Sequence, residues 1–172
     1  MFLPSLVLSL ALSAPSEAKS DSCTLAAGLR EALQQRFGTS RVLKTGDLYE
    51  DERGLFRAEH PGGCPGLATG RFFGPKERPA LALVLLEVEP KKSIRLVVAR
   101  PALSAWIFHE VAELDQGSTP VVSRRGPGKS ADARGAKAPG GGKDLVVLTG
   151  YESWERIYSW NGRAFDRMKT GH

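Results

Sequence analysis

The chain has 172 residues, 41% hydrophobic and 25% charged, with 24 Lys+Arg against 19 Asp+Glu and two cysteines. These proportions exclude a disordered, collagenous or polytopic membrane chain. At this length one core buries roughly 68–70% of the unfolded surface, so folding requires neither a metal nor a dense disulfide framework.

Phe2 to Leu12 is an uninterrupted run without charge, followed by Ser16-Glu17-Ala18 with small residues at the −3 and −1 positions. The run is too short for the about 20 residues of a membrane-spanning helix and matches the apolar region of a secretory leader. Residues 1–18 are therefore read as a signal peptide cut after Ala18, with Ser13 as a second cut site and a buried N-terminal element as the alternative. The remainder, 19–172, reads as one exported domain, periplasmic or secreted, and no later stretch is long enough to span a membrane. Cys23 and Cys64 fit that compartment as a disulfide. Two free thiols, or a metal site with His60, are the alternatives. Two cysteines and one histidine at this spacing make a poor zinc pattern, and no metal or cofactor is expected.

Leu25, Leu29, Leu33 and Phe37 recur every four residues behind a Ser22 or Thr24 cap, with Gly38 at the end, which predicts a first helix. Arg41–Thr45 reads as a short strand. Asp47 and Glu50 give a capping-box signal for a second helix over 48–59, with Leu48, Leu55 and Phe56 on one face. Ala80–Val88 is apolar on both faces and bounded by Pro79 and Pro90, the pattern of a covered central strand. Ile94–Ala99 pairs with it antiparallel. Trp106–Leu114 fits strand or helix, and its neighbours favour strand. Asp144–Thr149 is a further strand. Asn161-Gly162 joins Arg156–Trp160 to Arg163–Lys169 as a hairpin. A two-residue turn there sets Trp160 opposite Arg163 and Tyr158 opposite Phe165. The sum is an α+β fold, with two N-terminal helices packed on an antiparallel β-meander ending in an Asn-Gly hairpin.

Charge is unevenly placed. Without the leader, which carries Glu17 as its only charged side chain, the formal charge rises from +5 to +6. Residues 118–143 hold Arg124, Arg125, Lys129, Arg134, Lys137 and Lys143 against Asp132 alone, a net of +5. The rest is nearly neutral. That stretch also holds six glycines and three prolines, a composition that buries too little apolar surface to offset chain entropy. It reads as a flexible basic loop.

From Cys64-Pro65-Gly66-Leu67 through Gly70-Arg71-Phe72-Phe73-Gly74-Pro75-Lys76 to Pro79-Ala80-Leu81-Ala82-Leu83, the chain resembles an FG-GAP/VCBS-type segment. The family's acidic positions are here Arg71, Phe73, Pro75 and Pro79, so this loop lacks the roughly six to eight oxygen ligands of calcium. The likeness covers fewer than twenty residues. The order of helix, Cys-Pro-Gly loop, strands and a final aromatic hairpin is similar to small exported bacterial proteins of unknown function, which implies a compartment and no activity.

Signatures of catalysis are incomplete. Ser123 to Ser130 ends in Gly-Lys-Ser but lacks the first glycine of a phosphate loop. His109-Glu110-Val111-Ala112-Glu113 lacks a second histidine, and simple alternation puts His109 and Glu113 on one strand face as solvated or hydrogen-bonded groups. Two features point to binding. Trp154, Tyr158, Trp160 and Phe165 form a stacking platform if exposed, and core if covered. Arg124, Arg125, Lys129, Arg134 and Lys137 attract an anionic polymer, unless the stretch is a sequence-tolerant insertion. The expectation is a non-enzymatic exported binding module for a cell-envelope or macromolecular partner, either an anionic polymer or a protein. The alternative is a hydrolase of envelope polymers with paired carboxylates about 5–9.5 Å apart.

Overall fold

The computed structural model describes residues 23–87, 93–114, 119–128, 142–151 and 154–169. Residues 1–18, read above as a leader, and Lys129, Arg134 and Lys137 of the basic stretch lie outside the described residues.

The expected α+β arrangement does not hold. The described chain is mostly β, with two short helices, α1 (Ala27–Phe37) and α2 (Glu50–Glu59), and nine strands in two antiparallel sheets. The first sheet contains β1 (Arg41–Val42), β2 (Leu67–Gly70), β3 (Ala80–Glu87), β4 (Ser93–Pro101) and β5 (Trp106–Leu114). They run in the order β1–β3–β4–β5, with β2 also paired to β3. The second contains β6 (Val121–Arg125), β7 (Leu145–Gly150), β8 (Trp154–Trp160) and β9 (Phe165–Arg167), in chain order.

The helices do not supply the main cover because the sheets cover each other. Ala82, Val84, Leu96 and Val98 on one sheet share a core with Val122, Val146, Leu148 and Tyr158 on the other. Leu83, Leu85, Val97 and Ala99 point the opposite way and meet Leu29 and Leu33 of α1. The apolar run in β3 is thus buried on both faces, as its composition implies. Every chain reversal from β3 to β5 is antiparallel, with Val84 opposite Leu96 and Ala82 opposite Val98.

Local differences have physical causes. The first helix begins at Ala27 without a side-chain cap, and ends at Gly38, whose φ of 61° suits the residue after a helix. Asp47 caps a 3₁₀ turn (Thr45–Asp47) by accepting the Lys44 N–H at 2.8 Å. Glu52 instead accepts the Tyr49 N–H at the start of α2 and receives the Thr119 hydroxyl at 2.6 Å, so a carboxylate buried to 2% exposure is satisfied. Leu55, expected beside Leu48 and Phe56, is exposed. Val121–Arg125, inside the stretch read as loop, forms β6 with Val121 and Val122 buried. The surrounding glycines and cations masked a five-residue strand.

The final hairpin turns one position later than expected. Trp160 faces Phe165, and Tyr158 faces Arg167. Gly162, with φ of 106°, and Arg163 occupy the turn, and the Asn161 Oδ1 accepts the N–H groups of Arg163 and Ala164. That side-chain bond to its own backbone favours Asn161 as the residue before the turn centre.

Candidate functional site

The inner row of the first sheet ends at Arg100, two residues beyond Val98 on β4. Its neighbour on β5 is Ile107, and Val98 pairs with His109. A bulge decides this orientation: Leu96 faces Ala112 whereas Val97 faces Glu110, so Val111 is the extra residue. Past it the side chains exchange faces, which is what one inserted residue does to a two-residue repeat. His109 and Glu113 therefore lie on opposite faces, against the simple alternation.

His109 enters a cluster assembled from three parts of the chain. Phe73, in the loop between β2 and β3, has its ring 5.1 Å from His109 and 4.9 Å from Trp160. Trp160 lies 4.9 Å from His109 and 5.2 Å from Phe165. Trp160 meets both Phe73 and His109 edge-on, the arrangement that ring quadrupoles favour. The Arg100 guanidinium stacks 5.0 Å above Phe73. In front of it opens a recess of about 440 Å³ lined by Phe73, Arg78, Arg100, Leu103 and Ile107, with Glu77 at its wall. Leu103, at the tip between β4 and β5, is fully exposed, and Ile107 is 39% exposed.

Two cations, Arg78 and Arg100, line this recess. Arg36 and Arg95 pair with Glu110, Arg95 also meets Glu87 at 3.4 Å, and Arg125 meets Glu155 at 2.5 Å. Among the described residues neither Arg78 nor Arg100 forms an ion pair. The Arg100 Nε and the His109 Nε2 are buried without a hydrogen-bond partner. Burial, and then the nearby Arg100 charge, lower the His109 pKa from its ordinary 6.5.

Because the imidazole is held neutral in the fold, the unfolded chain takes up this proton first as the pH drops below 6.5. Stability assigned to His109 is therefore complete above that pH and declines through the window below it, until the folded residue also protonates. Replacing His109→Phe is expected to flatten the melting temperature between pH 7 and pH 5.5, measured by circular dichroism. An unchanged pH slope would show that His109 does not govern this window.

The residues anticipated from sequence are dispersed. Tyr158 is core, with 4% exposure. Trp154 is partly buried, its ring beneath Arg156 at 4.8 Å. Trp160 belongs to the ring cluster, behind the recess. Arg124 lies 3.8 Å from Asp144, and Arg125 is neutralised by Glu155. The first sheet covers the Tyr158 side of the aromatic hairpin, in a cluster that also holds Phe56 of α2. The disulfide between Cys23 and Cys64 is present. Arg78, Arg100, Leu103 and Ile107 were not singled out by sequence, although the aromatic pair Phe72-Phe73 between Arg71, Lys76 and Arg78 is a legible signal.

The other charged groups form no comparable centre. Arg36 and Arg30 line two separate cavities, whereas Arg57, Arg95 and Arg156 sit on α2, β4 and β8. Of the five cavities described, each contains at most one carboxylate: Glu31, Glu77 or Asp144. No carboxylate pair supports the hydrolase alternative there. No helix among the described residues is long and apolar enough to cross a membrane. No protein-family model, curated protein or solved structure matches the chain.

Proposed function

We propose that the protein is an exported, non-enzymatic binding module whose partner is an anionic envelope polymer or macromolecule held at the arginine–aromatic end. The observation that carries this reading is the pair of cations, Arg78 and Arg100, facing one recess, with no ion pair to either among the described residues. A guanidinium stacked on a ring keeps its outward N–H groups in place for an incoming anion. The +5 stretch reinforces it. Gly142 rejoins the described fold beside Pro75, close enough that a Cβ there would be 3.6 Å from the proline ring. Pro75 is in the same loop as Phe73 and Arg78. The leader pattern and the disulfide support export.

The test is retention of the mature chain on immobilised dextran sulfate across a salt series, with neutral dextran as the reference. The Arg78→Gln/Arg100→Gln variant and a deletion of 129–141, which spares β6, are each expected to elute at lower salt. Equal retention on charged and neutral matrix would remove the proposal. Elution of the double arginine variant with the wild type would remove this site. Mass measurement of the exported chain is expected to place its N-terminus at Lys19.

A further inference from the structure

We infer that the partner is an extended acidic peptide, added as a further strand to the free edge of β5. This inference rests on the anionic reading of the Arg100 recess and specifies what delivers the anion.

β5 ends the first sheet, and among the described residues its backbone bonds only to β4. An edge of this kind presents unpaired N–H and C=O groups to any extended chain. Its far half is protected: the Val111 bulge bends it, Glu110 and Glu113 charge it, and Phe165 approaches His109. The open part is the stretch from Trp106 to Phe108, just past the turn in which the Ala105 carbonyl accepts the Ala102 N–H.

Two cavities border that open stretch, one on each face of the sheet. The Arg78–Arg100 recess, on the inner face, borders Ile107. On the outer face a groove of about 700 Å³ runs between α1 and the hairpin, lined by Gly28, Ala32, Arg36, Trp106 and Phe108. Both share Pro101, Ala102, Ser104 and Ala105 of the hairpin tip. Side chains of a strand alternate between faces every residue. A strand laid along β5 therefore sends one set of side chains toward the arginines and the other toward Trp106 and Phe108. Main-chain bonds supply affinity in this mode, and pockets for alternate side chains supply selectivity. Unpaired cations on the inner face select Asp or Glu there. On the outer face Trp106 and Phe108 with the small Gly28 and Ala32 favour Leu or Phe, while Glu31, Gln35 and Arg36 also line the groove.

The probe is a fluorescein-labelled octapeptide of alternating Glu and Leu, titrated into the mature chain and followed by anisotropy. A Lys-Leu peptide and a Glu-Leu peptide with a central proline are the references. Binding is expected for the Glu-Leu peptide alone, weakened about tenfold by Arg100→Gln through the lost charged hydrogen bond. Ala32→Trp, which crowds the outer groove and leaves the charge unchanged, is also expected to weaken it. Hydrogen exchange of the Trp106–Phe108 amides is expected to slow at saturation. Equal binding of all three peptides, or binding without protection of β5, overturns the inference. If dextran sulfate is retained through Arg78 and Arg100 but the peptide fails, the strand inference alone falls.

Discussion

Replacing Cys23 and Cys64 together by serine is expected to lower the unfolding free energy by about 4 kcal/mol, the entropy released when a loop of this length opens. The bridge joins residues 41 apart in sequence. It also holds together parts that little else connects. Cys23 precedes α1, and Cys64 precedes β2; both sulfurs lie 3.7 Å from the Leu43 carbonyl, just past β1. Both cysteines belong to the cluster in which Leu29 and Leu33 of α1 meet Leu83, Leu85 and Val97. Without the bridge, α1 retains that apolar face, the Phe37–Phe108 ring contact and the exposed Arg36–Glu110 pair, and an eleven-residue helix without an N-terminal side-chain cap is marginal by itself. Urea unfolding should show the loss as a lower midpoint, with amide exchange in α1 accelerating before that in β3. A change below 1 kcal/mol would mean that packing alone seats the helix.

The Gly66→Ala substitution is expected to cost about 3 kcal/mol, unusual for a change of one methyl group. β1 and β2 lie end to end along the same edge of β3. Leu43 donates to the Val84 carbonyl, and Val84 donates to the Gly66 carbonyl, each at 2.9 Å, so the two short strands meet at Val84. A Cβ on Gly66 would be 2.8 Å from the Leu43 nitrogen and closer still to its carbonyl oxygen. These are backbone atoms, and their displacement would break the bond to Val84. Gly54 provides the comparison, since a Cβ there meets nothing within 4 Å. Gly54→Ala inside α2 should stabilise by about 0.5–1 kcal/mol. Equal midpoints for the two variants would refute the close-approach argument.

The unpaired Arg78 and Arg100 illustrate why the site was hard to read in the chain. Each is one of many arginines in the sequence, and the recess they share is set by three-dimensional neighbours. Arg95, five residues before Arg100, has two acidic partners because it lies on the opposite face of the same strand. The aromatic set was legible as a set, but its division was not: Tyr158 entered the core while Trp160 joined Phe73 and His109.

Residues close in sequence determined what they could determine alone. The apolar run between Pro79 and Pro90 requires burial on both faces and yields β3. Gly38 ends α1, Asn161-Gly162 marks a reversal, and the two cysteines form the bridge. These follow from steric limits on φ, from side-chain periodicity and from thiol chemistry, all acting within a few residues or on a single pair. Pairing over long distances decided the remainder. The two sheets include β2 and β6, strands of four and five residues that pair with the distant β3 and β7. The Val111 bulge, set by β4, turned His109 inward, and the recess was completed by Phe73 and Arg78 from a loop more than twenty residues away from Arg100. No local pattern encodes those neighbours, because they come from the β2–β3 loop, from β4 and from β5.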